Sequence, residues 1–139
     1  MKMTQQSMGQ QGFSLVELIV ALSILAVALF ALAGMQSIAA NKTAISHKIS
    51  SATSIAQEVM EDLMARDPAE ASLNSSGTYT YDLDPNTPAT TITVQGAGTF
   101  NATYTTAINT PASGTTWIVV RVTGSGIQPV ALSGYKRVV

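Results

Sequence analysis

From Leu18 to Ala33 every side chain except Ser23 is apolar, and the Ala, Leu, Ile and Val there lie all round a helix, not along one stripe. A helix of that kind belongs in a large core or in lipid. A chain of 139 residues has no large core, so lipid is favoured. Phe13 to Met35 makes about 35 Å of helix, enough to cross a hydrocarbon layer of about 30 Å, so residues 13–35 are predicted as a transmembrane helix. Past Gly34 the pattern changes. Ile38, Ile45, Ile49, Ala52, Ala56, Val59 and Leu63 recur at helical steps, with Ile55, Met60 and Met64 widening the stripe. Lys42, Ser46, Lys48, Ser50, Gln57, Glu61 and Asp62 lie on the polar side. Residues 36–67 therefore read as the amphipathic half of the same helix. That helix runs from Ser14 to about Arg66, some 80 Å, and Asp67–Pro68 ends it because the residue before proline avoids the α region.

After Ser72 the chain becomes rich in Thr, Ser, Gly, Asn and Pro. Thr78–Leu83, Thr90–Gln95, Thr99–Ile108, Thr115–Thr123 and Val130–Val138 have strand character, divided by the turn material DPNTPA, GAG, NTPASG and GSGIQP. Short links between successive strands favour an antiparallel meander. In TTWIVVRVT, Ile118, Val120 and Val122 share one face and are assigned to the side against the helix. Trp117 is expected on the outer face, under the Ala69–Ser76 loop or against a neighbouring subunit, the loop being the favoured cover. The fold class is α+β: one long N-terminal helix, transmembrane and then amphipathic, packed on a small antiparallel sheet built from residues 68–139.

Composition narrows the chemistry. Charged residues are 11% of the chain and the net charge is −1. Lys2, Lys42, Lys48, Arg66, Arg121, Lys136 and Arg137 are scattered, whereas a nucleic-acid footprint is a clustered basic face, so no nucleic acid is expected as a partner. There is no cysteine, which removes disulfides, thiolate metal sites and cysteine nucleophiles. His47 is the only histidine; without companions it reads as a solvated helix residue. Met60 and Met64 read as gap-filling core. Asp82 and Asp84 could act as an acid–base pair, but ahead of Pro85 they read better as turn-capping residues. No phosphate loop, zinc pattern or Ser/His/Asp set is visible. No enzyme activity, metal or cofactor is expected.

Glu17 is the exception in the apolar segment. A charged carboxylate at mid-bilayer costs about 2.5–3.5 kcal/mol, less near an end, and an intramembrane acid is a functional candidate whose partner must be named. Position alone leaves two readings open, a functional acid and a glutamate that snorkels to the headgroups. A cleavable secretory signal is the plain alternative for the whole segment. Its apolar region is normally about 7–15 residues long, shorter than this run, which continues straight into a helical pattern.

The stretch GFSLVE, Gly12 to Glu17, followed at once by LIVALSILAVALFALAGMQ, resembles the start of a type IV prepilin or type II secretion pseudopilin. In that family a short polar leader ends in Gly, Phe follows, and Glu stands five residues after the cut. The resemblance is strong over the N-terminal third and elsewhere extends to architecture only. It implies that residues 1–12 are a leader and that prepilin peptidase cuts between Gly12 and Phe13 on the cytoplasmic side. Phe13 then becomes an N-methylated terminus. It implies further that Glu17 pairs in the filament with the Phe13 amino group of a neighbouring subunit, an interaction far stronger in a low-dielectric core than in water. The implied location is the inner membrane, single-pass, with the C-terminal domain in the periplasm, and afterwards a pilus or pseudopilus filament. The implied partners are other pilin subunits, the peptidase, an inner-membrane assembly platform and membrane lipid. The leader has one basic residue, Lys2, where many have several. Gly34 stands where many major pilins carry a bending proline, and their paired C-terminal cysteines are missing.

Within the family the helix resembles minor pilins of the PilV type, which initiate or tip the fibre. A minor pseudopilin of type II secretion is the next reading and a major pilin the third. A membrane-anchored periplasmic binding domain that never polymerises is the alternative from another class.

Overall fold

The computed structural model describes residues 14–87 and 90–138. One helix, α1, spans Leu15–Ala65, matching the predicted Ser14–Arg66 within a residue at each end. The chain divides into two compact units, one ending at Ala40 and one beginning at Asn41.

The first unit is helix throughout from Leu15, with every described residue exposed. Its most apolar window has a mean hydropathy of 2.8 and none of it is buried by the rest of the chain. Ser14 starts the helix. Its Oγ accepts from the Val16 N–H at 3.2 Å and its carbonyl accepts from the Leu18 N–H at 3.1 Å, which satisfies an amide that the helix itself leaves unpaired. Ser23 donates its hydroxyl to the Ile19 carbonyl at 2.8 Å. The single polar side chain between Leu18 and Ala33 is thus satisfied within its own helix, as lipid requires. The helix continues through Gly34, where an added Cβ would meet nothing within 4 Å outside the adjoining helix backbone.

In the second unit the Asn41–Ala65 part of α1 packs on a five-stranded antiparallel sheet. Its strands are β1 (Gly77–Tyr81), β2 (Thr91–Val94), β3 (Gly98–Ile108), β4 (Thr115–Gly124) and β5 (Val130–Arg137). β2 to β5 form the expected meander, but β1 does not pair with β2. Both lie on the same edge of β3: Tyr81 stands opposite Ala102 and Thr91 opposite Asn101. The register runs on without a slip, so β1 and β2 are one strand line that breaks after Tyr81 and resumes at Thr91. The alternation of faces also survives the break. Tyr79, Tyr81 and Ile92 lie opposite the buried Tyr104, Ala102 and Phe100.

The inner face follows the period-two pattern. Phe100, Ala102 and Tyr104 of β3 and Ile118, Val120 and Val122 of β4 are buried against Ala52, Ile55, Ala56, Val59 and Leu63 of α1. Two glycines mark close approaches. A Cβ on Gly124 would stand 2.7 Å from the Phe100 ring, and one on Gly134 would stand 2.6 Å from the Met64 Cε. Met60 and Met64 pack half-buried against this core, as expected.

The Ala69–Ser76 loop departs from expectation. Thr116 donates to the Leu73 carbonyl at 2.9 Å and Thr106 to the Ser75 carbonyl at 2.6 Å, and both threonines are buried on the inner face. Leu73, itself buried, drops into the core. The loop therefore extends the helix side of the sheet. Trp117 points the other way and is 37% exposed, opposite Ala107 and Tyr135.

Candidate functional site: an unpaired acid at the head of an apolar helix

Gly12 and Phe13, the expected cleavage and methylation positions, lie outside the described residues. Glu17 lies in the first turn of α1, three residues after Ser14. Ser–x–x–Glu is the capping-box spacing, in which the glutamate reaches back to the cap. Ser14 caps the helix through the Val16 N–H and not through the Glu17 N–H that a capping box would use, and Glu17 has no hydrogen-bond or ion-pair partner among the described residues. The positive end of the helix dipole favours an acid here by about 0.3–1 kcal/mol. That is less than the mid-bilayer cost of a bare carboxylate, about 2.5–3.5 kcal/mol. At mid-bilayer its own helix would thus offset only part of that cost; nearer the end, where Glu17 stands, the cost is smaller.

The apolar surface around Glu17 is equally unpartnered. Leu15, Val16, Leu18 and Ile19 are 74%, 67%, 55% and 55% exposed. The amphipathic stripe farther along is split. From Ala52 onward it is buried by the sheet, while Ile38, Ile45 and Ile49 remain exposed. Lys48, expected on the polar side, donates to the Ser125 carbonyl at 3.2 Å in the β4–β5 turn. The β4–β5 turn therefore reaches the helix at Lys48, and the buried stripe begins one turn later, at Ala52.

The far end of α1 is held by groups that no single motif announces. The last turn of the helix carries no basic residue. Lys136, on the inner face of β5 and 8% exposed, supplies one. Its Nζ donates to the carbonyls of Leu63 at 3.0 Å, Met64 at 2.9 Å and Arg66. A cation there meets both the orphan carbonyls and the negative end of the dipole. Beside it Arg66 donates from Nε to Asp62 and from a terminal nitrogen to Glu70, each at 2.9 Å. The guanidinium stands 5.4 Å from the centre of the Tyr81 ring. Burial pulls the Arg66 pKa down, but the hydrogen bonds and charges of Asp62 and Glu70 outweigh it and hold the guanidinium above its ordinary value. Tyr81 donates its hydroxyl to Asp62 at 2.9 Å. Burial first, then the Asp62 carboxylate, raise the Tyr81 phenol above its ordinary pKa, with Arg66 opposing. The sequence signal for Lys136 was its parity: it falls on the same face as Val138 and Gly134.

The Asp82 and Asp84 carboxylates are engaged with their own backbone. Asp82 accepts from the Asp84 N–H at 3.0 Å and Asp84 from the Asn86 N–H at 3.3 Å, the turn-capping arrangement anticipated from Pro85. His47 is exposed, and a Cβ on Gly96 would lie 3.9 Å from its ring. No group of three or more His, Cys, Asp or Glu able to hold a metal occurs among the described residues. A cleft of about 240 Å³ lies between Ile55, Glu58 and Val59 of α1 and the chain at Tyr81, Leu83 and Pro85.

The chain matches no curated protein and no solved structure. Residues 7–33 match the family described as the prokaryotic N-terminal methylation motif, a stretch that contains Gly12, Phe13, Glu17 and most of the apolar run. That motif, ahead of a long apolar helix and a small antiparallel sheet, supports a type IV pilin-like or pseudopilin protein anchored by its N-terminal helix.

Proposed function

We propose that the chain is a prepilin cut between Gly12 and Phe13 and N-methylated at Phe13. Residues 13–35 span the inner membrane, residues 36–67 continue the helix, and residues 68–139 form a periplasmic head. After cutting, the Phe13 amino group of one subunit pairs with Glu17 of the next as the protein enters a filament. The observation that carries this reading is Glu17 itself. It lies inside the matched motif, is surrounded by exposed apolar side chains, and has no partner among the described residues. Two buried opposite charges in a low-dielectric core attract strongly, and removing one leaves the other in the costly unpaired state.

Within that class we assign the chain to the minor pilins, subunits that initiate or tip the fibre. The absence of cysteine and the glycine at position 34 both favour this over a major pilin. Prepilin peptidase and an inner-membrane assembly platform are the partners this assignment requires. Intact mass of the membrane-extracted protein tests the reading. Loss of Met1–Gly12 with gain of one methyl group is the expected result; a mature chain beginning at Met1 overturns it. Recovery in sheared pilus fractions, in place of a secretion pseudopilus, tests the narrower assignment.

A further inference from the structure

The outer face of the sheet has a composition unlike the rest of the molecule. All eight Asp and Glu lie between Glu17 and Asp84, so the chain from Pro85 onward carries no acid. β1, which precedes Pro85, adds none, as it reads GTYTY. On this face Trp117 of β4 stands directly opposite Tyr135 of β5, and the two are 37% and 60% exposed. Arg137 follows Tyr135 by two positions and lies opposite Thr115, while Arg121 follows Trp117 by four. Strand geometry places these arginines on the same face as the rings, about 7 Å beyond them at one end and about 13 Å beyond at the other. Both are exposed, and neither has an ion-pair partner among the described residues. Between Trp117 and Arg121 the row is completed by Ser133, opposite Val119.

We propose that this face is a docking surface for an acidic glycan, a chain of sugar rings bearing carboxylates. The Trp117 and Tyr135 rings offer a flat apolar platform with polar tips, suited to the C–H face of a sugar ring. The two guanidinium groups take carboxylates in the forked, two-bond geometry that arginine favours. Thr115 and Ser133 meet ring hydroxyls. No Asp or Glu side chain among the described residues of this face repels an anionic ligand. Aromatic rings flanked by arginine also suit single-stranded nucleic acid. With only two free cations on the face and a net charge of −1, however, the chain lacks the basic footprint that phosphate binding needs. A sparsely charged glycan is the better match.

Trp117 is the only tryptophan, so its fluorescence reads this face directly. The full chain in detergent is titrated with oligogalacturonate, a neutral glucan of similar length, and oligo-dT. A saturable change with oligogalacturonate that weakens as salt rises is expected, with at least tenfold weaker responses from the neutral glucan and from oligo-dT. The double variant Arg121→Gln, Arg137→Gln should weaken oligogalacturonate at least tenfold while its thermal unfolding, followed by circular dichroism, stays unchanged. Tyr135→Ala should also lower the affinity. An equal response to the neutral glucan, a stronger one to oligo-dT, no response to the uronate, or full binding by the double variant would each overturn the proposal.

Discussion

The two halves of α1 are built from similar apolar residues and differ in what covers them. From Ala52 to Leu63 the stripe is buried under β3 and β4. From Leu15 to Ala40 every residue is exposed. Even the hydrogen-bonding groups follow this division. At the C-terminal end, Lys136 and Tyr81 bring partners from distant strands to the carbonyls and to Asp62. At the N-terminal end, Ser14 and Ser23 satisfy their bonds locally, and Glu17 is left over. One part of the helix is completed by folding. The other, on our reading, is completed by lipid and by neighbouring subunits. Substitutions should therefore separate into those that unfold the head and those that leave it intact while blocking assembly.

The largest effect on the head should come from Phe100, 1% exposed. Phe100→Ala is expected to lower stability by about 3–5 kcal/mol, read as a fall in the thermal midpoint of the detergent-solubilised chain followed by Trp117 fluorescence. Lys136→Met keeps the apolar stem and removes the cation from two helix carbonyls and that of Arg66 just beyond. A loss of about 2 kcal/mol is expected by the same measurement. If Lys136→Met is neutral, the helix terminus is held by something other than this contact. Gly124→Ala drives a methyl group into the Phe100 ring and should cost about 1–3 kcal/mol.

Tyr81 gives a pH signature. Its folded pKa is raised, so the native chain holds the phenol proton more tightly than the unfolded chain. That stabilisation is complete below the ordinary value of 10.0 and is lost as pH climbs from there through the folded value. Wild type should lose more stability than Tyr81→Phe between pH 9 and the top of the alkaline range, roughly. The smallest effect should be that of Leu25→Ala, an exposed position on the uncovered half, with a change within about 0.5 kcal/mol in unfolding of the head. A loss as large as that of Phe100→Ala would erase the distinction between the halves.

Much of this was legible because two periodicities dominate. The all-round apolar run, the later stripe at steps of three and four, and the alternation in TTWIVVRVT each fixed an element and its buried face. What was not legible depended on contacts between residues far apart in sequence. DPNTPA, residues 84–89, reads as a plain turn between the successive strands Thr78–Leu83 and Thr90–Gln95. That β1 and β2 instead share one edge of β3 depends on β3 being long enough to pair with both. Trp117 was placed on the right face, but its expected cover lies on the other, because Leu73 is apolar enough to take the loop into the core. Lys136 could be assigned a face and not a partner, since helix carbonyls carry no sequence signature. Glu17 was evident as an anomaly from the sequence. Ser14 was placed correctly as the start of the helix, and its hydroxyl caps the Val16 N–H.

The most direct test of the central claim is incorporation of Glu17→Val into sheared pili, measured against the same variant's cleavage and head stability. The account predicts a processed, membrane-inserted chain whose head unfolds as in wild type and which is missing from the pilus fraction. Wild-type incorporation of Glu17→Val would contradict it, since the acid would then have no part in joining one subunit to the next.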